Sequence, residues 1–148
     1  MKNFKRFACA MLSVAMIASA FAGCKGKNKT AVIGINQYGE HASLDNCREG
    51  FISGLEKAGL KEGVDFELDY QNAGFDDAAA TQISQSFASK DVDMMCAIAT
   101  PSAVACYAAA EEKDIPVIFT AVNDPEKAKV NTGNITGTSD KLPVEGQL

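Results

Sequence analysis

Tryptophan is missing from this 148-residue chain, and histidine occurs only once, at His41. A site lined by indole rings is therefore impossible within this sequence. Zinc sites need cysteine and histidine at short, regular spacings, and the sequence has neither a CxxC pair nor a Cys/His ligand spacing. We therefore expect no metal site and no cofactor, and we interpret His41 as a solvated loop residue.

Positive charge is also scarce, with 14 Lys and Arg against 19 Asp and Glu and a net charge of -5. Lys2, Lys5 and Arg6 fall within the first 23 residues, so the rest of the chain has 11 positive charges and a net charge of -8. A body this acidic has no basic face to attract phosphate backbones. The sequence therefore argues against nucleic-acid binding.

Motifs for nucleotide binding and hydrolysis are absent as well. Residues 34–39 lack the G-x-G-x-x-G spacing, and the sequence has no P-loop and no G-x-S-x-G elbow. A receiver domain would need acidic residues after the first and third predicted strands, where this sequence has Asn36 and Thr100. With no catalytic cluster in view, we expect a protein that is not an enzyme.

The chain begins like an exported protein. A basic start precedes an uncharged, mostly apolar run of 16 residues over 7–22, which is short for a helix that needs about 20 residues to cross a bilayer. The small residues before Cys24 resemble a bacterial lipobox, although Phe21 replaces the usual leucine. We interpret residues 1–23 as a signal peptide, Cys24 as the lipidated residue and residues 24–29 as a tether. The alternatives are ordinary cleavage after Ala22 and an uncleaved membrane anchor. The lipoprotein interpretation and both alternatives place the rest of the chain outside the cytoplasm.

Beyond Cys24, three cysteines remain at positions 47, 96 and 106. An odd number cannot form a complete disulfide framework. Cys47 and Cys106 lie in helical patterns and Cys96 lies in an apolar strand pattern. We expect all three to be free thiols that pack like small apolar side chains.

The remaining sequence alternates between strand and helix patterns. Apolar runs predict strands over residues 30–35, 64–70, 92–99, 115–119 and 135–137. Spacings of three and four predict helices that begin at Ser43, at Asp76 and near Ala103, the first of them stopping at Gly59. This alternation predicts an α/β fold with a parallel sheet and right-handed crossovers. Residues 142–145 look like the start of a further helix.

Ligands of an open parallel sheet bind outside the carboxyl ends of its strands. This rule selects the loops at 36–42, 71–76, 100–102, 120–124 and 138–140. In the third loop, Thr100 is a plausible N-cap and Pro101 suits the first helical position, so Ser102 and Ala103 would offer N–H groups to a carboxylate. The alternative is that this turn only starts a helix.

The other loops supply polar and acidic groups. Glu40 could meet an ammonium group, and Gln37 or Tyr38 could orient a solute side chain. Asp124 and Asp140 are further acids at the same end, although acids in loops are commonly just exposed to solvent.

Several segments together resemble the ABC-transporter substrate-binding family that includes tryptophan and tyrosine import lipoproteins. The similarity runs in family order over nearly all of the mature chain, through residues 32–37, 40–41, 44–45, 48–51, 69–73, 97–103, 119–125 and 137–140. The resemblance implies a type I periplasmic-binding-protein fold, in which two flavodoxin-like lobes close on a solute. Residues 30–148 would be the first lobe, and a second lobe would be missing.

The resemblance also implies site residues and a function. The turn at Thr100 and Ser102 would hold a carboxylate, and by the same matching the pocket residues would be Gln37, Glu40, Thr120, Ala121 and Asp140. The implied function is that of an extracytoplasmic, lipid-anchored component of an ABC importer, which binds an amino acid, aromatic or otherwise apolar, and delivers it to permease subunits. A ligand-sensing module of a receptor or regulator with the same fold is the alternative.

Overall fold

In a computed structural model, residues 30–140 are described. The predicted signal peptide, the lipidation site at Cys24, the tether and the helix expected from Leu142 all lie outside this part of the chain. Within residues 30–140, no helix is both long enough and apolar enough to span a membrane.

Within the described residues, five strands and three α-helices alternate along the chain. The strands are β1 (Ala31–Gln37), β2 (Phe66–Asn72), β3 (Met94–Ile98), β4 (Val117–Val122) and β5 (Ile135–Ser139); the helices are α1 (Ala42–Lys57), α2 (Asp77–Ser89) and α3 (Thr100–Ala110), and a single 3-10 turn (Glu111–Lys113) follows α3. All strands pair in parallel in the order β2-β1-β3-β4-β5. This is the flavodoxin-like order, with the strand sequence reversing direction between β1 and β3, and it confirms the predicted fold class.

The helix boundaries follow local capping chemistry. The Asp76 carboxylate accepts a hydrogen bond from the Ala79 N–H at 2.7 Å, which confirms Asp76 as the cap of α2. The first helix begins at Ala42 and not at the predicted Ser43, and its cap is His41, whose ring accepts a hydrogen bond from the Ser43 N–H. Gly59 follows the end of α1 with φ of 90°, a conformation that glycine adopts easily.

Most strands extend further toward their carboxyl ends than the apolar pattern predicted. Asn36, Gln37 and Asn72 belong to strands and not to loops, and Thr120 and Thr138 likewise lie within β4 and β5. Asn36, Gln37, Asn72 and Thr120 each pair with a residue of a parallel neighbour, so backbone pairing continues these strands after the apolar side chains stop.

Helices cover both faces of the sheet. On one face, α2 and α3 pack on a core that includes Phe87, Met95 and Phe119. The Phe87 ring occupies the space above Gly34, where an added Cβ would come within 2.6 Å of it. On the other face, α1 packs its stripe of Leu44, Cys47, Phe51 and Leu55 on a second cluster around Ile35. These residues have the spacing of three and four from which the helix was predicted, and Ala58, which continues that spacing, is exposed.

The three cysteines of the described chain are free. Burial raises the pKa of Cys96 to about 12 and the pKa of Cys106 to about 11. Both thiols are fully buried, whereas Cys47 is half-buried on α1. The expected packing role of Cys96 and Cys106 is confirmed, and Cys47 combines packing with partial exposure.

We therefore expect brief iodoacetamide treatment of the native protein at pH 8 to alkylate Cys47 and to spare Cys96 and Cys106. Alkylation needs an accessible thiolate, and the two buried thiols are neither accessible nor ionised at this pH. Peptide mass spectrometry would measure the modified fraction, with the unfolded chain as the control in which all three react. Equal labelling of Cys47 and Cys96 in the native protein would contradict this burial.

Candidate functional site

Helix α3 begins at the carboxyl end of β3, beside the ends of β1 and β4. Its N-cap is Ala99 and not Thr100, so Thr100 is the first helical residue and Pro101 the second. Ala99 has φ of 82° and ψ of 159°, a region that is essentially reserved for glycine. Within residues 30–140, no side chain caps this helix start. The first turn of α3 therefore keeps backbone N–H groups that no capping side chain of the described protein satisfies.

The structure corrects the expected donors of this turn. The Ala103 N–H donates to the Ala99 carbonyl at 3.0 Å, and Ala103 is fully buried, so it is not an open donor. The Ser102 hydroxyl points inward and donates to Asn36 Oδ1 at 3.1 Å. The N–H groups of Thr100 and Ser102 belong to the first turn, whose donors have no acceptor within a helix. Ser102 is as fully buried as Ala103, so the Thr100 N–H and the half-buried Thr100 side chain are what this turn can offer to an anion.

Asn36 joins β1 to both helices on its face of the sheet. Its Nδ2 donates to the Ala80 carbonyl at 2.8 Å and to Ser84 Oγ at 2.9 Å, while its Oδ1 accepts from Ser102. Asn36, Ser84 and Ser102 are fully buried, and Ser84 Oγ lies 3.3 Å from Cys106 Sγ. We call these four side chains the Asn36 network. It fixes the first turn of α3 relative to β1.

Gln37 is fully buried on the opposite face of β1. Its amide donates to Asp45 Oδ1 at 2.9 Å and to the Gly39 carbonyl, and its oxygen accepts from Arg48 at 2.8 Å. Arg48 also lies over the Tyr70 ring, 4.8 Å from its centroid. Gln37 therefore holds α1 and the loop after β1 in place, and a direct contact of this residue with a solute stays a prediction.

Three predicted site residues come together at the carboxyl ends of β4 and β5. Thr120, Ala121 and Asp140 line a cavity of about 330 Å³ with Ser43 at the start of α1. A β-bulge in β4 lies between Phe119 and Val122, where Ala121 has φ of 56°. Bulges re-aim side chains, and Thr120 here faces Thr138 with 3.2 Å between their hydroxyl oxygens.

The two predicted acidic site residues, Glu40 and Asp140, are exposed at the carboxyl ends of the strands. Glu40 lies in the loop that leads into α1, and Asp140 follows β5, its N–H bonded to the Val122 carbonyl at 3.2 Å. These carboxylates and the positive end of α3 lie on one edge of the sheet. That arrangement presents opposite charges to a zwitterion. No group of three His, Cys, Asp or Glu residues within 30–140 is arranged to hold a metal ion.

Sequence reasoning missed one aromatic pair at this edge. Tyr38 and Phe75 make an edge-to-face contact with centroids 5.7 Å apart. Phe75 is 55% exposed and has φ of 64°. A large aromatic residue between Gly74 and the helix cap Asp76 was the available signal, because such turns usually contain polar residues.

The comparisons with known proteins place the chain in a family. Residues 32–148 match the model of the ABC transporter substrate binding protein family, and the chain belongs to that family. It is 44% identical over 122 residues to a tyrosine-binding protein of Clostridioides difficile (strain R20291), a match that covers 78% of this chain and 35% of the relative.

Two solved structures extend the comparison. The ligand-free, open structure of a substrate binding protein with adhesive properties from Clostridium difficile has 43% identity and a TM-score of 0.73, covering 78% of this chain and 40% of that one. An ABC domain in complex with L-Trp from Streptococcus pneumonia has 33% identity and a TM-score of 0.70, covering 76% of this chain and 39% of that one. The fold is that of type I periplasmic binding proteins, and the chain spans less than half the length of these relatives.

Proposed function

We propose that this chain is the solute-capturing part of an extracytoplasmic ABC importer component, and that its solute is an aromatic or other apolar amino acid. The observation that carries this proposal is the pairing of charges along the carboxyl edge of the sheet. The uncapped start of α3 suits a carboxylate, and Glu40 and Asp140 are the exposed acids that suit an ammonium group. Relatives described as binding tyrosine and L-Trp support the solute class.

The remaining assignments are part of the same proposal. Thr100 binds the carboxylate, Ser102 positions the turn behind it through its bond to Asn36, and Thr120, Ala121 and Asp140 line the neighbouring cavity. Gln37 and Ala103 support these residues from the protein interior. Residues 30–148 form one lobe of a two-lobed protein, whose closure would exclude water and strengthen each polar contact. Cys24 anchors the chain to the membrane beside permease subunits.

The charge pairing predicts a specific response to altered solutes. We expect the full chain to bind L-tyrosine at least tenfold more tightly than L-tyrosinamide or N-acetyl-L-tyrosine, because each analogue loses one charge-assisted hydrogen-bonding group worth about 1.5–3 kcal/mol. Titration calorimetry or NMR titration would measure the three dissociation constants.

A variant tests the ammonium side of the site separately. Asp140→Asn should weaken binding of L-tyrosine and leave binding of N-acetyl-L-tyrosine unchanged, while the matched Asp65→Asn control, at the amino end of β2, should change neither. Equal affinity for tyrosine and its amide would exclude recognition through the carboxylate. A clear response to a sugar or a nucleobase, with none to any amino acid, would remove the amino-acid assignment.

A further inference from the structure

Phe75 is a large apolar side chain on an edge otherwise made of polar loops. It lies in the turn between the end of β2 at Asn72 and the start of α2, and 55% of it is exposed. Val64 is a comparably exposed apolar residue, but it precedes β2 at the opposite end of the sheet. Phe75 therefore adds apolar surface to the end of the sheet where solutes of such folds bind.

Specific contacts hold the Phe75 ring in place. The Phe75 N–H donates to the Tyr38 carbonyl at 2.7 Å, and the Tyr38 hydroxyl donates to the Phe75 carbonyl at 3.2 Å. The ring lies in edge-to-face contact with Tyr38, at an interplanar angle of 90°. It also fills the space where a side chain at position 39 would start, which explains the buried Gly39. The ring is thus positioned before any solute arrives.

This position is unfavourable for phenylalanine in the isolated protein. A φ of 64° is left-handed, and for a bulky side chain it is a genuine conformational outlier. The exposed part of the ring also keeps apolar surface in contact with water. Glycine would remove both disadvantages at this turn. Strained residues of this kind persist where the surrounding structure holds them in place, and they concentrate at ligand-binding sites.

Neighbouring contacts connect the ring to the start of α3. The Tyr38 N–H donates to the Ile98 carbonyl at 3.2 Å, just before α3 begins. The single Tyr38 O–H is shared between the Phe75 carbonyl and Asp77 Oδ1, and the Asp77 contact is the shorter of the two at 2.8 Å. Asp77 borders the same groove as Thr100 and Pro101. Phe75, Tyr38 and the proposed carboxylate turn therefore lie on one continuous stretch of the rim.

We propose that Phe75, backed by Tyr38, contacts the side chain of the bound amino acid and gives the site its preference for aromatic over small side chains. This inference rests on the proposed function, because it assumes that an amino acid binds at the carboxyl edge. The Phe75 ring offers an apolar face and edge to the solute, and an aromatic solute can stack on it or meet it edge-on.

The test compares four solutes with two variants. For the full chain we expect Phe75→Ala and Phe75→Gly to weaken binding of L-tyrosine and L-phenylalanine by about threefold to tenfold. Binding of L-alanine and L-serine should stay unchanged, because these solutes are too short to reach the ring. NMR titration measures each dissociation constant. Val64→Ala, which removes exposed apolar surface at the opposite end of the sheet, is the matched control and should change none of them.

The stability of the two variants gives a second measurement. Phe75→Gly should have the higher urea midpoint of the two, because glycine accepts the left-handed conformation and alanine does not. A uniform loss for all four solutes would show that Phe75 only supports the fold, and unchanged binding of the aromatic solutes would overturn the inference. If the wild type binds amino acids and the Phe75 variants bind them equally well, this inference alone is wrong. If the wild type binds no amino acid, the proposed function is wrong as well.

Discussion

Asn36→Ala is expected to lower the free energy of unfolding by about 3 kcal/mol and to weaken solute binding. The substitution removes three hydrogen bonds of a fully buried side chain and leaves the Ser102 hydroxyl without its acceptor. Buried polar groups that lose their partners cost about 1–3 kcal/mol each, and the vacated volume adds to that. The decrease in the free energy of unfolding should exceed that caused by most single substitutions.

Urea unfolding monitored by circular dichroism would measure the change in stability. Asn46→Ala is the matched control, because Asn46 is exposed on α1, and we expect its effect to stay within about 0.5 kcal/mol. Ser102→Ala should fall between the two, since it removes one bond of the Asn36 network and keeps the others. An Asn36→Ala protein as stable as the wild type would show that the network does not join β1 to α3.

Gly137→Ala should also destabilise the protein strongly, by about 3 kcal/mol. A Cβ at position 137 would collide with the backbone carbonyl of Phe119 and would lie 2.6 Å from the Phe119 ring. A backbone carbonyl cannot rotate out of the way, so β5 would have to move away from β4. Because β5 carries Thr138 and leads to Asp140, that movement would also open the cavity that these residues line.

The same substitution elsewhere in the chain provides a control of opposite sign. An added Cβ at Gly50 on α1 meets nothing within 4 Å, and alanine favours a helix over glycine by about 0.5–1 kcal/mol. Gly50→Ala should therefore raise the urea midpoint while Gly137→Ala lowers it. If both variants shifted the midpoint in the same direction, the close approach of β4 and β5 at position 137 would be refuted.

The sequence predicted the architecture well because the fold depends on patterns that it displays directly. Alternating apolar strands and amphipathic helices specify an α/β sheet, and the spacing of Leu44, Phe51 and Leu55 matches the half-buried face that α1 packs on the sheet. The start of α2 at Asp76 could be predicted because the Asp76 side chain bonds to the first turn of the helix that follows it. Such features depend on residues close in the chain, so local reasoning is sufficient for them.

The details of the candidate site depend on partners that are distant in sequence. Gln37 is saturated by Asp45 and Arg48, and the Ser102 hydroxyl is taken by Asn36, 66 positions earlier. The sequence indicates that these residues are polar and follow strands, but it does not indicate whether they face the solvent or each other. The unusual backbone of Ala99 was equally invisible, because alanine gives no sign of a positive φ.

The parallel pairing has a consequence for the order in which the chain can fold. β1 lies between β2 and β3, and its Ile33 pairs with Met94, so none of its partners is reached through a tight hairpin. Each pairing must first close a long loop, and sheets built from such distant contacts assemble slowly, on a scale of about milliseconds to seconds. The earliest strand to be synthesised thus stays unpaired on one side until β3 emerges, and the kinetics of refolding would be most sensitive to changes along β1.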